Sequence, residues 1–399
     1  MADFLTLDDI QVRGKRVLLR ADLNVPVNNG EVADATRIER LAPTIRELAE
    51  KGARVIVMSH FGRPEHGRDP ALSLKPIVAP LAKAIGRPVA FAEDCIGKPA
   101  EEVVARLSDG GVVLLENLRF HAGEEKNDRG FAAALAALGD LYVNDAFSAA
   151  HRAHASTEAI AHLLPAAAGR LMQEELEALH AALGAPKRPV MAIVAGAKVS
   201  TKLKLLDAML SKVQVLVIGG AMANTLLLAQ GRKVGRSLVE PNMVETARSI
   251  LAEAKLASCE LLLPTDAVVA PALKAGVATE TVAIDRVPED KMILDIGPQS
   301  VAAIIRHLEH CPTLIWNGPV GAFETKPFDA GTIALAQRVA ALTRVGKLLS
   351  VAGGGDTGAA LHAAGVTDQL SYVSTAGGAF LEWLEGRDLP GVEALKPRG

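Results

Sequence analysis

The stretch that decides the fold is Lys347-Leu348-Leu349-Ser350-Val351-Ala352-Gly353-Gly354-Gly355-Asp356-Thr357. Its apolar first half predicts a buried parallel strand, and the glycines and carboxylate lead into a helix expected from about Thr357 to Ala364. Because glycine has no Cβ, this turn can approach a ligand closely, and the unpaired N–H groups at the helix N-terminus favour a phosphate. A carboxylate beside an anion requires a cation between them, so Asp356 predicts a magnesium contact.

The same glycines leave two other interpretations open. Gly353, Gly355 and Gly358 satisfy G-x-G-x-x-G, the dinucleotide-binding fingerprint. The acidic residue that this fingerprint requires about twenty positions later is absent from residues 371–378. A tight strand-to-helix turn without any ligand is the other alternative.

Composition narrows the class of protein. A chain of 399 residues exceeds one ordinary core, so two domains are expected. Hydrophobic residues make up 49% and aromatic residues only 3%, which is typical of the Ala, Val, Leu and Ile cores of parallel α/β sheets. A net charge of -3 provides no bulk attraction to nucleic acid or to acidic membranes, and neither is expected as a partner.

The cysteines and the N-terminus predict a cytoplasmic location. Cys95, Cys259 and Cys311 are scattered and lack metal-ligand spacing, which suits free thiols in a reducing compartment. The first residues carry no secretory signal, and no apolar run is long enough to span a membrane.

Strand-like and helix-like runs alternate in both halves of the chain, with strands of the second series expected from Val190 and one of them near 281–284. The alternation breaks near 163–170, where a long amphipathic helix from about Leu171 to Leu183 follows. This pattern predicts an α/β fold of two doubly wound parallel-sheet, Rossmann-like domains joined by a hinge helix.

In the N-terminal half, four predicted strands end in polar and mostly cationic residues, namely 20–24, 59–64, 116–120 and 144–148, with His151, Arg152 and His154 just after. Ligands of open α/β sheets lie at the carboxyl ends of strands, so these side chains should converge. Gathered arginines favour a planar polyanion that combines a carboxylate and a phosphate. Asp22 and Asn24 are expected to bind hydroxyls, or Asp22 to orient an arginine.

In the C-terminal half, Lys198 and Lys202 follow a strand, and their spacing predicts that both ammonium groups share one face of the helix that opens there. Two such cations indicate a phosphate site, although the motif is not G-x-x-x-x-G-K-[ST]. Gly219 and Gly220 end the next strand and suit a wall pressed against a flat ring.

Two further turns carry candidate nucleotide contacts. The turn at 316–324 contains one acidic residue, Glu324, suited to a pair of ribose hydroxyls. At 374–378 Thr375 is expected to be the N-cap of the last helix. A plain turn and an ordinary capped helix remain the alternatives at these two places.

At these motifs the sequence resembles the phosphoglycerate kinase family. The resemblance covers essentially the whole chain, in the family's order, through residues 20–24, 59–64, 116–120, 196–202, 316–324, 353–357 and 374–378. It implies a monomeric, glycolytic and gluconeogenic transferase that moves a phosphoryl group between 1,3-bisphosphoglycerate and ADP, giving 3-phosphoglycerate and ATP with Mg²⁺. It also implies that residues 1–168 with 385–399 bind 3-phosphoglycerate and that 169–384 bind the nucleotide.

The resemblance also implies the role of each site residue. The acid-sugar site would comprise Asp22, Leu23, Asn24, Arg37, His60, Phe61, Gly62, Arg63, Arg119 and Arg152. The transferring group would be met by Arg37, Lys198, Gly354 and Gly377. The nucleotide site would comprise Gly196, Ala197, Lys202, Gly219, Gly220, Asn317, Gly318, Pro319, Val320, Glu324, Gly353, Gly354, Gly355, Asp356, Thr357 and Thr375, with Asp356 as the metal ligand. Ala221 stands where the family often has a third glycine.

Two other functions stay open from the sequence. One is an NAD-dependent dehydrogenase that uses the glycine fingerprint, which leaves Lys198 and Lys202 unexplained. The other is a non-catalytic, two-lobed protein that binds a sugar phosphate, which needs neither a metal carboxylate nor a second anion site.

Overall fold

The structure, a computed structural model, describes residues 4–28, 30–65 and 67–397. The chain forms two compact units. The first unit is discontinuous and comprises the residues up to Glu177 and those from Asp388 onward. The second unit is Ala178–Arg387. Each unit is built on a six-stranded sheet of parallel strands, so the prediction of two parallel-sheet α/β domains is confirmed. Within the described residues, no helix combines the length and apolarity that crossing a membrane requires.

The strands of the first unit are β1 (Arg16–Arg20), β2 (Val27–Asn28), β3 (Glu31–Val32), β4 (Arg54–Met58), β5 (Val89–Ala92), β6 (Val112–Leu115), β7 (Leu141–Asn144) and β8 (Ala166–Ala168). The sheet has the order β5-β6-β4-β1-β7-β8, while β2 and β3 form a separate antiparallel ribbon. The central strands are apolar and buried almost throughout, because helices cover a parallel sheet on both faces.

The helices that follow these strands are α1 (Thr36–Glu50), α2 (Val78–Ile85), α3 (Gly97–Ala105), α4 (Arg129–Ala136) and α5 (Arg170–Leu179). Helix α1 contributes to the core with apolar residues that recur every three or four positions: Ile38, Leu41, Ile45 and Leu48. The helix predicted after the break is present as α5, which continues into a π-helical turn at His180–Gly184. The boundary between the two units falls within α5.

The parallel sheet of the second unit contains β9 (Val190–Ala195), β10 (Val215–Gly219), β11 (Glu260–Leu262), β15 (Thr313–Asn317), β16 (Leu349–Gly353) and β17 (Tyr372–Ser374), in the order β11-β10-β9-β15-β16-β17. Its helices are α6 (Leu203–Lys212), α7 (Ala221–Ala229), α8 (Val244–Leu256), α9 (Pro298–Leu308), α10 (Ala330–Arg344), α11 (Gly355–Ala363) and α12 (Gly377–Leu384). The chain ends with α13 (Pro390–Glu393), which packs in the first unit, where Gly391 N donates to Ala150 O.

A smaller antiparallel sheet in the second unit was not expected. It contains β12 (Asp266–Ala270), β13 (Glu280–Ala283) and β14 (Met292–Ile296), in the order β13-β12-β14. The strand predicted near 281–284 therefore exists but does not belong to the parallel sheet. Within this strand only Val282 is half-buried and packs on the core, while the other three residues are exposed, which suits a sheet that is covered on one face only.

Two local predictions about helix starts are wrong. Helix α6 begins at Leu203, so Lys198 and Lys202 precede it and share no helix face. The reason is local hydrogen bonding, because the Thr201 hydroxyl donates to Lys198 O and holds these residues in turns. Thr375 is not the N-cap of the last helix, which begins at Gly377 with Ala376 before it. Ser374 Oγ instead accepts from Ala376 N at 3.1 Å.

A buried carboxylate fixes the entry to α5. Asp145 follows β7, and its Oδ1 accepts from Met172 N in the first turn of the helix at 3.1 Å. A Cβ added at Gly169 would lie 2.3 Å from this oxygen, so only glycine fits there. Burial raises the pKa of Asp145 to about 6.

This pKa predicts how stability depends on pH. An acid whose pKa is raised by folding stabilises the folded state fully below its unfolded pKa of 3.8, and the contribution is lost as pH rises through about 6. Asp145→Asn removes the titration while keeping an acceptor oxygen. We expect the free energy of unfolding of the variant, relative to the parent, to rise by about 3 kcal/mol between pH 3.5 and 7.

Calorimetric melting of both proteins across this pH range measures the difference. Asp368→Asn, at an exposed position, is the matched control and should follow the parent at every pH. A constant difference between Asp145→Asn and the parent would contradict the assignment.

Candidate active site

The cations predicted to converge in the first unit do meet. Strands β6, β4, β1 and β7 are neighbours and parallel, so their carboxyl ends lie at one edge of the sheet. At this edge Arg20 Nη2 lies 3.2 Å from His60 Nδ1, and both residues are buried. Burial and the neighbouring charges of Arg20, Arg119 and Arg152 depress the pKa of His60 far below its ordinary value. The pocket therefore holds His60 neutral among arginines.

The other basic side chains of the pocket are also partly shielded from water. Burial and the adjacent arginines lower the pKa of His154 to about 4. Burial lowers the pKa of Arg119, whose Nη1 donates to Gly62 O at 2.6 Å. Arg152 is half-buried, and its Nε lies 3.2 Å from His151 Nε2. This concentration of positive charge with little water favours an anion of more than one charge.

Asp22 orients an arginine, which was one of the two roles expected for it. Its Oδ2 accepts from Arg37 Nη1 at 2.8 Å and from Ser148 Oγ at 2.5 Å. Arg37 Nη1 also donates to Asn24 O at 2.9 Å, and Asn24 Oδ1 accepts from Gly62 N at 2.9 Å. The loops after β1 and β4 are therefore tied together around Arg37.

The remaining predicted residues of this pocket differ in what they expose. Leu23 and Phe61 are buried in the core, where Leu23 N donates to Ser59 Oγ at 2.9 Å and Phe61 N donates to Asn117 Oδ1 at 3.1 Å. Gly62 has φ +59, and an added Cβ would lie 2.6 Å from Leu72. Arg63 is exposed in the loop after β4.

The second unit contains a cavity of about 520 Å³, which lies beyond the carboxyl ends of the strands of its parallel sheet. Several residues predicted for a nucleotide line it: Gly196, Ala197, Gly220, Pro319, Val320, Glu324 and Asp356. Its lining is mainly apolar, as a site for a flat base requires.

One wall of this cavity depends on glycine. Gly220 has φ +69, and a Cβ there would lie 2.6 Å from the backbone oxygen of Gly196. A Cβ at Gly219 would lie 2.8 Å from Val320 Cγ1. By contrast, nothing lies within 4 Å of a Cβ placed at Gly358, so the third glycine of the dinucleotide fingerprint meets no steric requirement.

The N-termini of α11 and α12 lie side by side at the edge of this cavity. A Cβ at Gly377 would lie 3.9 Å from Gly355 N, and Gly354 has φ +106. Asn317 holds the turn, since its Nδ2 donates to Gly353 O at 2.7 Å and its Oδ1 accepts from Lys202 Nζ at 2.5 Å. Two helix N-termini with an adjacent ammonium group form a site for phosphate.

Two more side chains complete this turn. The Thr357 hydroxyl accepts from Gly318 N at 2.7 Å, which couples the turns after β15 and β16. Burial lowers the pKa of Lys202, while the negative charge of Asp356 opposes this effect. Asp356 and Lys198 are both exposed, and Thr375 lies just before α12.

Sequence reasoning missed several residues of both sites. The cavity is also lined by apolar side chains: Leu238, Leu273, Met292 and Leu294. Leu238 and Leu273 are each 52% exposed, so their apolar side chains are accessible at the cavity. In the first unit the predicted set omitted Arg20, Ser148 and His154, although all three follow strand ends that the sequence identifies.

The comparisons with known proteins identify the family. The family model described as phosphoglycerate kinase matches residues 7–387. The chain is 63% identical over 400 residues to a phosphoglycerate kinase of Methylorubrum extorquens (strain PA1), with both chains covered completely. The chain belongs to the phosphoglycerate kinase family. The family predicted from the motifs is thereby confirmed, and the dehydrogenase and binding-protein alternatives have no support.

Solved structures of the family have the same fold. A phosphoglycerate kinase from Coxiella burnetii is 42% identical, with a TM-score of 0.92 and 98% of each chain covered. One from Pyrococcus horikoshii OT3 is 30% identical, with a TM-score of 0.82 and the same coverage.

The glycine wall gives a direct test of the nucleotide cavity. Gly220→Ala forces a Cβ against backbone atoms and into a positive φ, so the wall must move. We expect ADP to bind at least roughly tenfold more weakly to this variant, measured by isothermal titration calorimetry. Gly358→Ala, with open space for its Cβ, should bind ADP like the parent. Unchanged binding by a folded Gly220→Ala variant would exclude this wall from the site.

Proposed function

We propose that this chain transfers a phosphoryl group between 1,3-bisphosphoglycerate and ADP, giving 3-phosphoglycerate and ATP. The observation that supports the proposal is that a chain of this family combines two different groups of residues that each suit an anion. The first unit gathers dehydrated cations around His60, and the second combines an apolar cavity with paired helix N-termini. A phosphorylated acid suits the first site and a nucleotide suits the second.

The reaction needs alignment and charge neutralisation rather than a nucleophile. An acyl phosphate is already activated, and a loose transition state spreads negative charge over the equatorial oxygens of the transferring group. We assign Arg37 to this group from the acid side, since Asp22 holds its guanidinium in place. Lys198 is assigned to it from the nucleotide side, and Gly354 and Gly377 lie where backbone N–H groups can contribute.

The donor set beside the cavity fits Mg²⁺. Asp356 stands in the first turn of α11 and lines the cavity, so it would hold the ion, which neutralises phosphate charge when bound. Mg²⁺ in nucleotide enzymes takes one or two carboxylates, with phosphates and water as the other ligands, so no larger protein cage is required.

A second group of possible ligands lies elsewhere. Among the described residues, Asp94, Cys95 and His121 of the first unit have ligand atoms close together. Asp94 Oδ1 already accepts from His121 Nε2 and from Cys95 N, both at 2.7 Å. These bonds account for the grouping without an ion.

The experiment that tests the function is a coupled assay with the purified protein. ATP should form from ADP and enzymatically generated 1,3-bisphosphoglycerate when Mg²⁺ is present. Absence of ATP formation by the folded protein would refute the proposal. The monomeric state, the cytoplasmic location and the hinge role of α5 stay predictions.

The division of labour between the units predicts a selective defect. Asp356→Ala removes the proposed metal ligand and leaves the first unit untouched, so Mg-ADP should bind roughly tenfold or more weakly. Binding of 3-phosphoglycerate, measured by calorimetry, should stay within twofold of the parent. Asp207→Ala, at an exposed position of α6, serves as the matched control. An equal loss at both sites would contradict the division.

The role of Lys198 is tested by turnover. Removing a cation from the transition state of phosphoryl transfer costs on the order of a thousand-fold in kcat. Lys198→Ala should show such a loss in the coupled assay, whereas Lys204→Ala, exposed near the start of α6, should not. Turnover of Lys198→Ala at the level of the parent would rule out the assignment.

A further inference from the structure

A fully buried carboxylate lies beneath the cation cluster of the first unit. Glu124 has no exposed surface. Its negative charge would also oppose the binding of an anion to the nearby cations. Burial raises its pKa, and the positive charges of Arg20 and Arg119 oppose that effect. Burying a carboxylate costs folding free energy, so we expect Glu124 to perform a specific role in the pocket.

A chain of hydrogen bonds with defined donors and acceptors connects this carboxylate to the pocket. Glu124 Oε2 accepts from Ser156 N at 3.0 Å, and Glu124 Oε1 accepts from Ser156 Oγ at 2.6 Å. Ser156 Oγ in turn accepts from Arg20 Nε at 2.8 Å. A guanidinium can only donate, so the single hydroxyl hydrogen of Ser156 must point to Glu124. Both oxygens of Glu124 therefore accept from Ser156, one from its backbone N–H and one from its hydroxyl.

The chain of hydrogen bonds ends on the imidazole of His60. Arg20 Nη2 lies 3.2 Å from His60 Nδ1, while Arg20 Nη1 donates to Ala21 O at 2.5 Å. Because Arg20 has no acceptor, Nδ1 of His60 must accept and carries no proton. The neutral ring then carries its proton on Nε2, which becomes its one N–H donor.

We propose that Glu124 and Ser156 are positioning residues that act through Arg20 to hold His60 as the Nε2-protonated tautomer, ready to donate to an oxygen of the acid substrate. The significance for substrate binding rests on the proposed function. The tautomer itself is a property of the unliganded protein. A merely structural role for the pair is the alternative that the experiment must exclude.

The protein offers a matched pair of variants. Ser156→Ala removes the hydroxyl that accepts from Arg20, while Ser156 N can still donate to Glu124. Tyr142→Phe removes a different buried hydrogen bond to the same residue, from Tyr142 Oη to Ser156 O at 2.8 Å. This second variant leaves the Glu124–Ser156–Arg20–His60 chain complete, so it reports the cost of a structural defect at the same place.

The first measurement is ¹⁵N NMR of the histidine-labelled full chain, in which the shifts of the two ring nitrogens distinguish the tautomers. The His60 signals are assigned by their loss in His60→Gln. In the parent and in Tyr142→Phe, His60 should be the Nε2-protonated neutral form across pH 5–8. In Ser156→Ala it should populate the Nδ1-protonated form. A His60 tautomer unchanged in Ser156→Ala and in Glu124→Gln would overturn the proposal.

The second measurement separates binding from turnover. Loss of one directed hydrogen bond to the substrate should raise KM for 3-phosphoglycerate by roughly tenfold in Ser156→Ala, with KM for ATP and kcat within twofold. Equal changes in Tyr142→Phe and Ser156→Ala would show a structural role and overturn the proposal. If the parent lacks kinase activity, the proposed function fails, while the NMR measurement still decides the tautomer.

Discussion

Parallel pairing of the strands is the constraint on which both candidate sites depend. In a parallel sheet each connection crosses back over the sheet, so all carboxyl ends lie at one edge. Arg20, His60 and Arg119 follow different strands of the first unit and meet there despite their separation in sequence. In the second unit, Gly219 and Asn317 reach the cavity edge in the same way. Strand interiors are apolar on both faces, which leaves only the ends for polar chemistry.

Burial, together with the crowding of cations, then determines the protonation of the histidines in the pocket of the first unit. Arginines keep their charge under almost any condition, whereas histidines respond to burial and to neighbouring charges. His60 and His154 accordingly have depressed pKa values and act as neutral hydrogen-bonding groups. The positive charge that remains belongs to guanidinium groups, whose planar shape matches carboxylate and phosphate. A bound polyanion would offset the repulsion among these like charges.

The sequence predicted the features that depend on local chemistry. Glycines at strand ends and the arginines after them were identifiable because turn geometry and charge are properties of short segments. The shared helix face of Lys198 and Lys202 was wrong, since the Thr201 side chain competes with the helix for backbone groups. Leu238 and Leu273 reach the cavity of the second unit from segments without periodicity. Glu124 was unrecognisable because only tertiary packing decides whether a glutamate is exposed or buried.

The two units offer different donors to anions, and the metal ion proposed at Asp356 would explain the difference. Phosphates in the second unit would share their charge with a divalent ion held by Asp356, so fewer full cations are needed around them. Backbone N–H groups at the starts of α11 and α12 carry only partial charge, and they can surround the phosphates while the metal stays bound. In the cation pocket of the first unit the carboxylates are engaged by neighbouring side chains, since Asp22 accepts from Arg37, Glu124 from Ser156, and Glu125 lies 3.1 Å from Arg119 Nε. There the negative charge of the proposed substrate would be met by side chains alone, which explains why arginines gather in the first unit, whereas the second unit combines glycines at helix N-termini with Lys198 and Lys202.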